Sequence, residues 1–223
     1  PEEMKDLLPC TTRDVNEMFA EVTALLATLK HPASQALANA YLADKFLMDA
    51  FKQAPAAKSM HHAYLGGLLE HTLSLMQLAD RVCPLYPKVN RDIVLLGLFL
   101  HDLGKTRELV YDRTFGYSDR GELIGHIVDG AIMLHDKAQH VMREQSMRFP
   151  TGFITVLQHI IISHHGEYEF GSPRRPKTPE AFILHFADNI DAKLTTLSGA
   201  YTELEGGEQN WTSYQRFLER FLY

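Results

Sequence analysis

Cysteine is scarce in this chain: two among 223 residues, Cys10 and Cys83, give no disulfide framework and point to a reducing compartment. Long apolar runs are missing as well. The most hydrophobic stretches, 93–100 and 153–162, fall short of the roughly 20 residues a bilayer span needs, and both lead into histidines. No basic n-region followed by an apolar h-region occurs, so the expectation is a cytoplasmic protein with no membrane partner. Positive charge is not in excess. Lys and Arg number 22 against 28 Asp and Glu, and the formal charge of -6 argues against broad electrostatic adhesion to nucleic acid while leaving room for a local basic site. No repeat or low-complexity tract is visible. Pro1 stands where a start methionine would, which predicts a processed or trimmed chain, or one domain of a longer protein with something upstream.

What is present is a chain with 45% hydrophobic residues, enough for a sizeable core and one domain with an appended arm. Apolar positions at helical spacing predict a helix over 11–29 (Val15, Met18, Phe19, Val22, Leu25, Leu26, Leu29), with Thr11 or Thr12 as N-cap and His31-Pro32 as its end. A second helix is predicted over 33–51 and a third, carrying His71, over 63–81. The run 91–100 is apolar on all sides and is therefore expected at the centre of the fold, delivering His101 and Asp102 at its C-terminal end. Residues 109–118 suit a short β-hairpin. Helices are then predicted over 123–147 with His126, over 153–163 ending on His164-His165, over 178–197 with His185, Asp188 and Asp191, and over 211–221. The expected fold class is all-α with one small hairpin. Residues 1–54 are expected to form a linker and helical arm packed on the core, and 55–223 the main domain with its C-terminal helix.

The chemistry lies in one constellation. His71, His101, His126, His164 and His165, with Asp102 and Asp188, sit at or near the ends of apolar helices, where unpaired polar groups are expensive. Neutral imidazole plus carboxylate is the ligand set for Mn, Fe, Co, Ni or Zn, and one metal cluster explains the pattern more economically than five separately satisfied histidines. His31, His135, His140 and His159 have no such company, and His135 and His140, on the polar stretch of the long helix, read as surface residues.

The order His71, then His101-Asp102, then Asp188 resembles the HD-domain superfamily of metal-dependent phosphohydrolases. The further His126 and His164-His165 match its dinuclear members, which implies two divalent metal ions bridged by Asp102. The resemblance divides the ligands into His71, His101, Asp102 and Asp188 for one ion and Asp102, His126, His164 and His165 for the other. Within the superfamily the chain is most similar to the YhaM-type 3′-to-5′ exoribonucleases. The strings that carry this are Ala56-Ala57-Lys58, His61-His62-Ala63, Gly67-Leu68, Leu100-His101-Asp102-Leu103-Gly104-Lys105, Ser163-His164-His165-Gly166, Glu169-Phe170-Gly171-Ser172-Pro173 and Asp191-Ala192-Lys193, spread over about residues 5–198. That family carries an OB-fold module ahead of the HD domain, and residues 1–14 resemble only the linker that follows it.

The resemblance implies a metal-dependent phosphodiesterase acting on single-stranded RNA or DNA, with Asp102 and Lys105 as catalytic residues. Lys105, one turn past His101, is a suitable point charge for a phosphate oxygen. Arg174, Arg175 and Lys177 follow a Gly-Ser-Pro turn and either bind the phosphate chain or form a solvated basic loop. His61 and His62 either line the pocket, support a ligand or cap the helix, while His185 and Asp191 flank Asp188 at a spacing of three and are expected to support the ligands. Tyr64, Tyr168 and Phe170 either stack on a base or pack. Two other readings stay open: hydrolysis of a small nucleotide or cyclic dinucleotide, and a non-catalytic metal-containing module that recruits RNA or protein. Gly166-Glu167-Tyr168 replaces the Gly-Tyr-Pro that the cyclic-dinucleotide reading would want. The outer faces of the two N-terminal helices leave room for a homo-oligomer.

Overall fold

The run Arg91–Leu100 folds as helix α5, and every residue from Asp92 to Leu100 is buried, as its all-round apolar composition demands. A computed structural model describes residues 8–58, 62–111, 114–202, 210–216 and 218–223. Around α5 lie α1 (Val15–Ala27), α2 (Pro32–Leu42), α3 (Lys45–Gln53) and α4 (Gly67–Val82) from the N-terminal side. After it come α6 (Lys105–Glu108), the hairpin strands β1 (Leu109–Val110) and β2 (Gly116–Tyr117), α7 (Asp119–Leu123), α8 (His126–Glu144), α9 (Phe153–Ser163) and α10 (Pro179–Thr202). The fold is all-α with one antiparallel hairpin, in which Leu109 pairs with Tyr117 and Val110 with Gly116. Its turn residues Asp112 and Arg113 lie outside the described residues.

One apolar core runs through the helices. Met18, Val22 and Leu26 of α1, Leu37 and Tyr41 of α2, and Met48 and Phe51 of α3 join Leu68 to Met76 of α4 and the whole apolar set of α5. Burial at about 1.5–3 kcal/mol per large side chain makes this cluster the main stabilising term. Asp92, itself buried, accepts the backbone N–H groups of Lys30 and His31 at 2.7 Å each and so ties the α1–α2 connection to α5.

Several helix limits differ from the spacing-based expectation. The predicted helix over 33–51 is two helices, because Asp44 caps α3 by accepting the Leu47 N–H and also pairs with Lys137 of α8 at 2.8 Å. Asp14, not Thr11 or Thr12, caps α1, and His31 begins α2 by accepting the Ala33 N–H. The helix bearing His126 starts at His126 itself, after the separate turn α7. No helix forms over the described part of 211–221. There Gln215 and Arg220 make an antiparallel bridge, Thr212 and Leu222 exchange hydrogen bonds, and Trp211 meets Tyr223 across the turn. Among the described residues no helix is long and apolar enough to cross a membrane.

Candidate metal centre

Helix ends converge on one buried point. His101 is the C-cap of α5 and His164 the C-cap of α9, and each donates Nδ1–H to the carbonyl three residues back, Leu98 and Ile161, at 2.7 Å. Those carbonyls belong to the last helical turn, which has no intrahelical donors left, so the cap satisfies the backbone and orients the ring in one step. His71 on α4 donates Nδ1–H to Asp191 Oδ2 at 2.7 Å, and His126 at the start of α8 donates to Glu108 Oε1 at 2.9 Å. His165 donates to the Phe170 carbonyl at 2.8 Å. A carbonyl or carboxylate only accepts, so each Nδ1 carries the hydrogen and each ring turns its Nε2 toward the centre, a ligand atom once it carries no proton.

Asp102 sits among these lone pairs with its two oxygens facing opposite ways. Oδ2 lies 3.4 Å from His101 Nε2 and 3.9 Å from His71 Nε2; Oδ1 lies 3.5 Å from both His126 Nε2 and His164 Nε2. Asp188 Oδ1 approaches His71 Nε2 at 3.2 Å, and Lys105 Nζ contacts Asp102 Oδ2 at 2.7 Å. His126, His164 and His165 bring their nitrogens together on one side, and His71, His101 and Asp102 form a second group on the other.

Whether these residues fit a metal is answered by the atoms left without partners. Among the described residues, the buried side-chain polar atoms lacking a hydrogen bond are Ser34 Oγ, His101 Nε2, Asp102 Oδ1, His126 Nε2 and His164 Nε2. An unmet buried polar atom costs about 1–3 kcal/mol, and four of these face one another as acceptor against acceptor. A cation relieves that arrangement, and a set of imidazoles with one carboxylate suits a divalent transition ion. The residues fit.

The electrostatics agree. Burial would raise the Asp102 carboxyl, but Lys105 and His101 outweigh it and hold it well below the usual carboxylate range. Asp188 is likewise held down, against burial, by its hydrogen bond to His71. His71 feels burial pushing it down, yet bonds to Asp188 and Asp191 and the charge of Asp102 raise it to about 9. Burial and the neighbouring His164 push His165 down to about 4, which keeps its lone pair available at neutral pH. The centre is thus a buried anionic pocket that draws a positive charge.

Two glycines allow the close approaches. A side chain on Gly104 would place its Cβ 2.1 Å from the His126 carbonyl oxygen, so this position in the His101–Lys105 string lets α6 lie against the start of α8. Gly166 follows the histidine pair at φ +82°, and the His185 ring occupies the space its Cβ would need. His185 Nδ1 donates to the His164 carbonyl at 2.8 Å, fixing the turn that presents both histidines.

The remaining sequence candidates fall into place around this core. Asp191 Oδ2 joins His71 to His62 Nε2 at 2.9 Å, and His61 lies outside the described residues. Arg174, Arg175 and Lys177 are all exposed; Arg175 pairs with Glu167 at 2.7 Å and lies over the Tyr168 ring, while Lys177 donates its backbone N–H to His159. Contacts of that loop are with its own neighbours, not with the seven clustered residues. Glu108 and Glu70 are contributors that pattern reading passed over, and Tyr64, read there as a stacking or packing ring, bonds His62 and Glu70 through its hydroxyl. For Glu108 the signal was present as a carboxylate one turn past Lys105 on the same short helix.

Comparison with known proteins follows the same lines. The HD domain family profile matches residues 68–193. The chain is 36% identical over 203 residues to the 3′-5′ exoribonuclease YhaM of Bacillus licheniformis and 35% identical over 203 residues to that of Bacillus subtilis. Each alignment covers 91% of this chain and 62% of the relative. The 3′-5′ exoribonuclease YhaM of Shouchella clausii is 36% identical over 193 residues, covering 86% of this chain and 58% of that protein. The chain therefore spans about three fifths of the length of these relatives. No solved structure matches.

Proposed function

This chain belongs to the HD-domain family, and from that premise we propose that it is a metal-dependent 3′-to-5′ exoribonuclease that holds two divalent ions bridged by Asp102. The observation that carries the reading is the division of Asp102, Oδ2 toward His71 and His101 and Oδ1 toward His126 and His164, together with the unpartnered atoms on both sides. His71, His101, Asp102 and Asp188 would hold one ion; Asp102, His126, His164 and His165 the other. Ions so held would lower the pKa of a water and place positive charge beside the phosphoryl oxygens.

The chain's own residues supply the rest. Lys105 spends one N–H on Asp102 and has two further donors for a non-bridging phosphate oxygen, and the charge of Asp102 raises it against burial, so it stays cationic. Glu108, Asp191 and the Leu98, Ile161 and Phe170 carbonyls hold the rings in one tautomer, which leaves little to reorganise when substrate arrives. The reaction is hydrolysis of the terminal phosphodiester: a water oxygen bonds to phosphorus, the 3′ oxygen of the preceding nucleotide leaves with a proton, and a nucleoside monophosphate is released. The names of the relatives support RNA as the substrate.

Incubating the purified chain and Mn²⁺ with single-stranded RNA labelled at its 5′ end tests the proposal. A ladder that shortens from the 3′ end is expected. Intact RNA alongside turnover of a cyclic dinucleotide or nucleoside monophosphate would replace it with a small-nucleotide hydrolase.

A further inference from the structure

One line of polar contacts runs outward from the candidate ligand His71 to the segment that enters the domain. His71 Nδ1 meets Asp191 Oδ2 at 2.7 Å, and the same oxygen meets His62 Nε2 at 2.9 Å. His62 Nδ1 lies 2.7 Å from the Tyr64 hydroxyl, Tyr64 donates to Glu70 Oε2 at 3.0 Å, and Thr11 Oγ1 donates to that oxygen at 2.6 Å. The line draws on four parts of the chain: the turn before α4 carries His62 and Tyr64, α4 carries Glu70 and His71, α10 carries Asp191, and the entering strap carries Thr11.

Both ends of the line are fixed by backbone. Thr11 donates its N–H to the Leu65 carbonyl at 2.9 Å, and Leu65 donates its own to Pro9 at 2.8 Å, a parallel bridge that clamps residues 9–11 beside the turn. His62 is buried at 5% exposure and holds a left-handed φ of 51°, a conformation that costs a non-glycine residue of order 1 kcal/mol or more. Its carbonyl accepts the Ala56 N–H at 3.1 Å. Backbone strain of this kind persists only where surrounding contacts over-determine it, and here the strained residue is the one that links Asp191 to Tyr64. The Tyr64 hydroxyl bonds His62 and Glu70, and His62 in turn meets both the Asp191 carboxylate and, at 5.4 Å between ring centroids, the His71 ring, so the side-chain line from Tyr64 to the centre runs through His62.

We infer that Tyr64 and Glu70, clamped by Thr11 of the entering strap, are positioning residues for His71, acting through His62 and Asp191. The strap at residues 9–11 is thereby wired to one side of the metal centre, and a displacement of the strap reaches His71 without passing through the apolar core. This rests on the reading of His71 as a metal ligand.

Titration of the chain with Co²⁺ against a competing chelator, with the visible ligand-field spectrum recorded at each point, tests the inference. In the parent, Co²⁺ is expected to fill two sites, and His71→Ala to remove one. Tyr64→Phe deletes a single hydroxyl and is expected to weaken that same site about tenfold and shift its ligand-field band. Thr11→Val should do the same more weakly, and Thr11→Ser, which restores the hydroxyl, should return the parent spectrum. Thermal melts of the cobalt-free proteins run alongside, because a variant that merely loosens the fold would lower the melting temperature without a selective spectral shift. If His71→Ala removes a site while Tyr64→Phe and Thr11→Val give the parent spectrum and affinity, the positioning role is overturned and the metal reading stands. If the parent binds no Co²⁺, or His71→Ala binds as the parent does, the metal reading itself fails and takes this inference with it.

Discussion

Glu108 accepts two hydrogen bonds from His126, one from the backbone N–H at 3.0 Å and one from Nδ1 at 2.9 Å, both on Oε1. A single carboxylate thus caps the first residue of α8 and sets the tautomer of a candidate ligand. Glu108→Ala is expected to lower Mn²⁺ affinity about tenfold or more, measured by chelator competition, while Glu108→Gln keeps an acceptor and loses less. Unchanged affinity in Glu108→Ala would show that His126 needs no such anchor.

Lys105 makes its close contact with Asp102 from a position largely shielded from solvent. Lys105→Ala is expected to slow turnover about 100-fold, in line with the loss of one charge-stabilising donor. Metal content measured on the same preparation should be unchanged. Loss of metal would instead assign Lys105 to holding the site together.

At Gly166 any side chain meets the His185 ring and must also adopt φ +82°. Gly166→Ala is expected to destabilise the fold by about 1–3 kcal/mol and to displace His165, read as a lower melting temperature together with weaker metal binding. A variant with parent stability and parent metal affinity would contradict the placement of the 164–166 turn.

Acid stability should depend on Asp129. This buried carboxylate, one turn into α8, accepts from Arg120 Nε and Nη2 at 2.8 and 2.6 Å, with Arg107 at 3.5 Å. The Arg120 hydrogen bond, opposed by burial and aided by Arg107, holds its carboxyl below the usual aspartate range. Because the folded value lies below the unfolded one, the unfolded chain takes up the proton first as pH falls. The contribution is complete above the unfolded pKa and disappears as pH drops through the depressed folded one. Asp129→Ala should therefore cost about 2 kcal/mol at pH 7, and urea melts of parent and variant should converge as pH falls below about 4. Curves that stay parallel down to pH 3 would rule the pair out as a source of acid sensitivity.

The parts of this molecule legible from sequence are those where one physical signal acts alone. A nearly all-apolar run such as 91–100 has to be buried, so the position of His101 and Asp102 at its end was readable, as was the placement of His164 after 153–163. Asp44 was not readable as a break, since an isolated aspartate in a helical pattern looks like a solvated face until its partner Lys137, far along the chain, is known. Glu108 and His126 are separated by the hairpin and α7, and no local spacing rule links them. Over 211–221, where a helix was expected, Tyr214 and Phe221 instead meet edge to face across a turn. The residues that cluster around Asp102 were legible as candidates because residue type carries its chemistry. The carbonyls of Leu98, Ile161 and Phe170 that fix His101, His164 and His165 carry no mark in the sequence, whereas Asp191, which fixes His71, was readable from its spacing to Asp188.

The most direct measurement is the metal count per chain, by plasma mass spectrometry after loading with Mn²⁺ and desalting, for the parent and for Asp102→Ala. Two ions in the parent and one or none in the variant are expected, because the Asp102 oxygens face both groups of imidazoles. A parent that retains fewer than two ions, or a variant that retains both, would contradict a dinuclear centre bridged by Asp102.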